Sequence, residues 1–218
     1  MSPTRSASSF IVHDTPVPAR ESEDVWGSDV VAAVLRELEI PYISLVPGSS
    51  YRGLHDSLVN YLGNRAPQMV LNIHEESAIA VAHGYAKVTG RMIAAAVHAN
   101  VGLLRSPMAI YNAWCDRAPI LIIGATGPWD ATRRRPWIDW IHTSSDQGGL
   151  IRNFTKWDNQ PGSPAAAMES IMLSRCFANP VQARVRRIAF ASGVAREHER
   201  AKTDRVRRHD TGADIARA

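Results

Sequence analysis

Apolar residues follow two patterns along this chain: segments with helical spacing and short continuous apolar runs. The two kinds of segment alternate between about residues 28 and 177. Helical spacing predicts helices over residues 29–39, 51–62, 75–89, 102–117 and 165–177. Short apolar runs predict buried strands over residues 42–46, 69–73, 92–98 and 120–124, with a last helix-to-strand step within residues 150–157. This alternation predicts an α/β fold, a three-layer α/β/α domain with a parallel sheet of about six strands.

Polar residues and glycines predict where several of these helices begin and end. Ser28 and Ser163 are suited to N-cap positions, Pro164 to a first helical turn, and Gly90 to a helix end. Residues 125–147 lack periodicity and are rich in Trp, Arg and Pro. Loops of this length in compact domains tend to be functional, so we expect this one to contribute to a site.

The two ends of the chain differ in character from its body. Residues 1–24 are rich in Ser, Pro and charge, which predicts a mobile N-terminal arm. Residues 184–218 hold ten Lys and Arg against five Asp and Glu, a net charge of +5; because the whole chain carries +4, residues 1–183 carry about −1. We therefore predict a folded domain over residues 25–183 and a basic tail, disordered or out of frame, although Ile188 and Phe190 could form an edge strand with Val185.

Several functional classes fit the composition poorly. No apolar run reaches the ~18 residues of a membrane span, and the N-terminus lacks the layout of a secretory signal, so we expect a cytoplasmic protein without membrane contact. Cys115 and Cys176 are expected to be reduced thiols, and no ligand spacing indicates a metal site. The basic tail lacks aromatic interleaving, so no nucleic-acid partner is expected, and nucleic-acid binding through the tail is kept only as a less favoured alternative. Gly124 and Gly127 follow a strand but do not complete a dinucleotide-binding motif.

Residues 74–91 are the most informative stretch. Glu75 stands at the mouth of a predicted strand and is followed by a helix of small residues that contains Gly84-Tyr85-Ala86. Open α/β sheets bind ligands at the carboxyl ends of their strands, which makes Glu75 a candidate site residue. Glu75 and Glu76 could equally be first-turn residues that stabilise the helix dipole.

Three segments together resemble the pyrimidine-binding domain of thiamine-diphosphate-dependent enzymes of the acetolactate synthase, benzoylformate decarboxylase and pyruvate oxidase group. They are the Glu75 helix, the segment His98-Ala99-Asn100-Val101-Gly102, and the run from Arg152 to Thr155-Lys156-Trp157, which we interpret as architectural. The resemblance covers roughly residues 25–182. It implies a thiamine-diphosphate-binding fold in which Glu75 contacts the aminopyrimidine ring and relays a proton.

The same resemblance implies roles for further residues. His98 would assist proton transfer and hold a 2-oxo acid, and Ser49 would contact the substrate carboxylate. The ordinary alternatives are a histidine at a strand end and a serine that caps a Pro-Gly turn. The implied cofactor-binding residues are Glu75, Pro47, Gly48, Asn100 and Gly102. Many acetolactate synthases carry a Phe-Gln-Glu element that appears here as His142-Thr143-Ser144, which argues against that particular activity.

The expected function is that of the pyrimidine-binding part of a 2-oxo-acid decarboxylase or carboligase, with the substrate left open. In the family a C-terminal domain with a Gly-Asp-Gly motif holds Mg²⁺ and the diphosphate, and this sequence has no Gly-Asp-Gly. We therefore expect the chain to be inactive alone and to act as a homodimer or with a partner chain that carries the diphosphate domain. A truncated or split gene product and a non-catalytic remnant or assembly module are the alternatives.

Overall fold

The structure, a computed structural model, describes residues 26–128, 131–178 and 188–191. Helices in this part of the chain are α1 (Gly27–Glu37), α2 (Arg52–Asp56), α3 (Glu75–Thr89), α4 (Ala99–Leu103), α5 (Pro107–Cys115) and α6 (Pro164–Ala178). The strands are β1 (Tyr42–Leu45), β2 (Gln68–Leu71), β3 (Ile93–Ala96), β4 (Ile120–Ile123), β5 (Trp157–Asn159) and β6 (Ile188–Ala191). A π-helix, Ser57–Tyr61, continues α2.

The six strands form one parallel sheet in the order β2-β1-β3-β4-β6-β5, which confirms the predicted sheet. From β1 the chain crosses to β2 at one edge, and it then returns to place β3 on the other side of β1. The winding direction thus reverses between β1 and β3. In open α/β sheets such a reversal leaves a crevice at the carboxyl ends of the two strands, where ligands bind.

Helices cover both faces of the sheet. One apolar core joins α1, α2 and α6 to the sheet, and the other joins α3, α4 and α5. Strand β3 shows how the two cores are separated: Ala94 and Ala96 belong to the first, whereas Ile93 and Ala95 belong to the second. Successive side chains of a strand point to opposite faces, so a strand of four fully apolar residues serves both cores.

Helix ends that depend on local chemistry agree with the sequence. Helix α3 has the predicted bounds, and Gly90 ends it in the left-handed conformation (φ 69°) while donating its N–H to Ala86 O at 2.9 Å. Helix α6 begins at Pro164, and the Ser163 hydroxyl accepts a hydrogen bond from Ala166 N at 3.2 Å. An N-cap serine and a first-turn proline are therefore confirmed as the start of this helix.

Two helix predictions were wrong in detail. Ser28 is not an N-cap, because α1 starts at Gly27. The Asp29 Oδ2 atom in its first turn accepts a hydrogen bond from Trp26 N at 2.9 Å. The Ser28 hydroxyl instead accepts a hydrogen bond from the Ser57 hydroxyl. The helix predicted over residues 102–117 is two helices, α4 and α5. Pro107 starts the second, because proline has no N–H to continue a helix but fits a first turn.

The C-terminal part of the sheet also differs from the prediction. Strand β6, Ile188–Ala191, lies between β4 and β5 and is not an edge strand. The sheet therefore extends past residue 183, where the sequence suggested that the domain ends. The predicted mobile arm, residues 1–24, and the rest of the basic tail lie outside the described residues.

A salt-bridge network fixes the chain between the irregular segment and β5. The guanidinium of Arg152 donates to Asp146 and to Asp158, with nitrogen-to-oxygen distances of 2.8 Å in both pairs. These hydrogen bonds lower the pKa of the Asp146 carboxyl and raise that of Arg152. The position agrees with an architectural role for the run that begins at Arg152.

Candidate active site

The candidate residues meet where three neighbouring parallel strands end. Gly48 follows β1, Glu75 is the first residue of α3 after β2, and His98 follows β3. Because β2, β1 and β3 are adjacent and parallel, these positions lie at the same edge of the sheet. The site therefore occupies the crevice that the reversal of winding creates.

Two glycines allow the candidate side chains to pack closely against the backbone. A Cβ atom built on Gly102 would lie 2.8 Å from Glu75 Oε1 and 3.1 Å from His98 Cβ. A Cβ built on Gly48 would lie 3.0 Å from both Cβ and Cγ of His98. A Cβ contact below 3.0 Å essentially does not occur in proteins and contacts of 3.0–3.1 Å are unusually tight, so alanine at either position would require Glu75 or His98 to shift. The structure thus brings together Glu75, His98, Gly48 and Gly102.

A serine holds the imidazole of His98. Ser50 Oγ and His98 Nδ1 are 2.6 Å apart and hydrogen-bonded, and Ser50 is fully buried. The hydroxyl is the donor when the proton of the neutral ring is on Nε2. Ser49, the residue suggested by the sequence, is exposed in the same 3₁₀ turn, Ser49–Tyr51. Sequence reasoning missed Ser50, because only the geometry of the turn shows which serine of an adjacent pair points inward.

Pro47 and Asn100 complete the residues suggested by the sequence. Pro47 is exposed at the start of the turn, and Asn100 is half-buried in α4. The Asn100 Oδ1 atom is shielded from solvent, and no group among the described residues donates a hydrogen bond to it. A buried carbonyl oxygen without a donor is costly, so a ligand or water that donates to it is favoured.

Tyr51 is a site residue that sequence reasoning missed altogether. Its side chain is 1% exposed, and its hydroxyl has no hydrogen-bond partner among the described residues. Burial raises the pKa of Tyr51 well above its usual value, and the nearby negative charge of Glu75 raises it further. The phenol therefore stays protonated over the working range of pH and offers a neutral O–H donor close to the Glu75 carboxylate.

The irregular segment, residues 125–147, adds a second imidazole. His142 ends the 3₁₀ turn Asp139–His142, and the centroid of its ring lies 4.7 Å from that of His98, with 41° between the planes. The expectation that this long loop contributes to a site is thus supported. No periodicity or motif in the sequence indicated this contact.

The described part of the chain offers neither a cluster of metal ligands nor a membrane-spanning helix. In residues 26–128, 131–178 and 188–191, no group of three or more His, Cys, Asp and Glu side chains is placed to hold a metal ion. The same part of the chain contains no helix that is long and apolar enough to cross a bilayer. What the arrangement offers is one carboxylate, a hydrogen-bonded imidazole and a protonated phenol in a crevice lined by backbone.

Comparison with known proteins identifies the family. The profile described as thiamine pyrophosphate enzyme, N-terminal TPP binding domain, matches residues 25–150, which is more than half of the chain. The chain belongs to the thiamine pyrophosphate enzyme family. The matched region includes all seven site residues suggested by the sequence, from Pro47 to Gly102.

Curated relatives agree with this assignment. The chain is 33% identical over 135 residues to the acetolactate synthase large subunit of Lactococcus lactis, covering 62% of this chain and 22% of that protein. It is 26% identical over 92 residues to benzoylformate decarboxylase of Pseudomonas aeruginosa, covering 42% of this chain and 17% of that protein. The chain therefore spans about a fifth of the length of these relatives.

A solved structure supports the fold. The X-ray structure of a protein from Mycobacterium smegmatis, assigned to the thiamin diphosphate-dependent enzymes, superposes with a TM-score of 0.63 at 20% identity. The match covers 79% of this chain and 31% of the other. The predicted thiamine-diphosphate-binding fold is thereby confirmed.

Proposed function

We propose that this chain supplies the pyrimidine-binding half of a thiamine-diphosphate-dependent decarboxylase or carboligase that acts on 2-oxo acids. The observation that carries the proposal is the placement of Glu75. Its carboxylate lies at the carboxyl edge of the sheet, and a Cβ atom built on Gly102 would lie 2.8 Å from its Oε1 atom. A carboxylate with a role only at the helix terminus would not require that packing.

The residues present fit the pyrimidine end of the cofactor. Gly48 and Gly102 let His98 and Glu75 lie close to the backbone at this edge of the sheet, since a Cβ atom at either glycine would meet one of those side chains. Asn100 Oδ1 is a buried acceptor suited to an amino group, and the Glu75 carboxylate can hold a proton opposite a ring nitrogen. When bound, thiamine diphosphate supplies the carbon nucleophile that such reactions use.

The substrate side of the crevice is assigned to His98 and Ser49. His98 is half-buried and hydrogen-bonded, so its ring can exchange a proton with a bound 2-oxo acid near neutral pH. Ser49 is exposed in the adjoining turn and could donate its hydroxyl hydrogen to the substrate carboxylate. The names of the relatives, acetolactate synthase and benzoylformate decarboxylase, support carboligation and decarboxylation equally.

The proposed site also needs a domain that holds the diphosphate, and we propose that a partner chain carrying such a domain provides it. Apolar side chains are exposed near the carboxyl edge of the sheet: Ile73 is 98% exposed directly before α3, and Leu104 and Met108 are more than half exposed. Exposed apolar groups close together favour a surface that is covered in the working protein. The homodimer and the cytoplasmic location stay predictions.

The decisive experiment compares two neighbouring carboxylates. Glu75→Gln and Glu76→Gln each remove one charge from the first turn of α3, so both lose a similar helix-dipole stabilisation of about 0.3–1 kcal/mol. We expect only Glu75→Gln to abolish the chemical-shift changes that thiamine causes in the ¹⁵N-labelled chain. Spectra to millimolar ligand detect a half-site whose binding free energy is only about −4 kcal/mol.

The outcomes separate the hypotheses cleanly. Thiamine-induced shifts at Gly48 and Gly102 that survive Glu76→Gln but vanish with Glu75→Gln support the proposed half-site. Equal behaviour of the two variants, or no shifts in the unmodified chain and none after a diphosphate-domain chain is added, would refute it. In the second case the chain would be a remnant or assembly module of the family.

A further inference from the structure

The ring of His142 is packed against the ring of His98, although the two residues come from different parts of the chain. His142 is 7% exposed, and its ring centroid is 4.7 Å from that of His98. Their planes are tilted by 41°, so the contact is neither a parallel stack nor an edge-on approach. Buried polar groups in proteins are nearly always hydrogen-bonded, so the partners of each ring show how it is held.

Hydrogen bonds fix the orientation of the His142 ring. Nδ1 donates to Ile138 O at 2.9 Å, and because a carbonyl oxygen can only accept, the proton of the neutral ring is on Nδ1. The backbone oxygen of His142 accepts from Gly127 N at 3.2 Å, which ties the residue to the segment after β4. Both ends of the residue are therefore anchored to backbone.

The turn that carries His142 is itself fixed. Asp139 is 1% exposed, and its carboxylate accepts hydrogen bonds from the backbone N–H of Arg135 at 2.8 Å and from the Arg135 guanidinium at 3.2 Å. The Thr143 hydroxyl donates to Asp139 O at 2.7 Å. A charge-assisted pair with a buried carboxylate is among the stronger hydrogen-bonded units in proteins. The loop thus presents His142 from a rigid turn.

We propose that His142 is a positioning residue: it holds the His98 ring in one orientation so that Nδ1 stays on Ser50. Ser50 fixes one point of the imidazole, Gly48 leaves room for it, and His142 prevents rotation about the bond to the ring. This inference rests on the proposed role of His98 in handling the substrate. Proton transfer depends on alignment within a few tenths of an ångström, which a ring free to turn does not maintain.

The first test needs no cofactor and uses variants only to assign the histidine resonances. Imidazole ¹⁵N spectra of the whole chain, with each of its eight histidines assigned by substitution, report the tautomer of every ring. We expect His142 as the Nδ1–H tautomer and His98 as a single conformational state. Exchange of the His98 ring between two or more conformational states would overturn the proposal, because the ring would then not be held in one orientation.

The second test separates ring contact from bulk packing. His142→Phe keeps an aromatic ring beside His98, whereas His142→Ala removes it. We expect the His98 resonances to keep their positions in the first variant and to shift and broaden towards those of a solvent-averaged ring in the second. His83→Ala is the matched control, because His83 bonds to Asp116 on the exposed side of α3 and should leave His98 unchanged. Unchanged His98 resonances in His142→Ala would overturn the proposal.

The test remains informative if the proposed function fails. The tautomer and the rescue by Phe are measured in the cofactor-free chain, whereas the proposed function is tested by thiamine binding and Glu75→Gln. If an active assembly with a diphosphate-domain chain is obtained, His142→Ala should lower kcat by about 10–100-fold with little change in KM, as expected for misalignment of a group held near reacting atoms. Equal losses in His142→Phe and His142→Ala would contradict positioning by the ring.

Discussion

Replacement of Gly102 by alanine tests how closely the site is packed around Glu75. The new methyl carbon would lie 2.8 Å from Glu75 Oε1, 3.1 Å from Glu75 Cγ and 3.1 Å from His98 Cβ. The Glu75 carboxylate can rotate away, but His98 Cβ is attached directly to the backbone and cannot. We therefore expect the carboxylate to leave its position and the turn at His98 to shift by a few tenths of an ångström.

The effect on stability should be small. An extra methyl group in a well-packed site costs about 1–3 kcal/mol. Alanine in place of glycine inside a helix returns about 0.5–1 kcal/mol, and Gly102 in α4 has no left-handed φ that would prevent this gain. The net loss is then about 0–2.5 kcal/mol, which for a chain of this size lowers Tm by at most about 10 °C.

Gly102→Ala should, by comparison, abolish ligand binding. Gly102→Ala should unfold within this Tm range yet show no thiamine-induced shifts in the ¹⁵N spectrum. Gly84→Ala is the matched control: Gly84 lies in α3 with no atom within 4 Å of the added Cβ, so it should gain about 0.5–1 kcal/mol and bind thiamine normally. Thiamine binding by Gly102→Ala equal to that of the unmodified chain would refute the assignment of Glu75.

Two further predictions concern stability alone. Ile110 is fully buried in the core between α3 and α5, so Ile110→Ala should lower the free energy of unfolding in urea by about 2–5 kcal/mol; a loss below 1 kcal/mol would contradict this core. The pKa of Asp146, beside Arg152, and that of Asp116, beside Lys87, lie below the ordinary value. Their stabilisation is therefore present above about pH 4 and is lost as pH falls through the lowered values; Asp146→Asn should flatten this acid limb, and an unchanged limb would contradict it.

The parts of the fold that the sequence revealed are those fixed by neighbouring residues. Glu75 and Gly90 mark the ends of α3, because acidic first-turn residues and a left-handed glycine are local determinants of a helix. The parallel sheet followed from the alternation of helices with apolar runs. Strand order is different: β6 lies between β4 and β5 through contacts between distant segments, which periodicity does not contain.

The candidate site likewise contains residues that the local sequence indicates and residues that it does not. Glu75 and His98 could be found because each directly follows a strand or opens a helix, and parallel strands deliver such positions to one edge. Ser50, Tyr51 and His142 could not be found. A one-residue difference within a 3₁₀ turn decides between Ser49 and Ser50, and His142 reaches the site only because its loop folds back past β4.

The elements that carry the site residues determine how the site should respond to substitution. Glu75 and His98 stand at strand ends, whereas Ser50 and His142, which contact the His98 ring, come from turns. Turns are the parts of a domain that tolerate change, so a relative with a different residue at position 142 could keep the fold and the Glu75 contact while altering how the imidazole is presented. If the proposed function holds, exchange of the loop of residues 125–147 between relatives should therefore alter the state of the His98 ring, measured by imidazole ¹⁵N spectra, without abolishing thiamine binding.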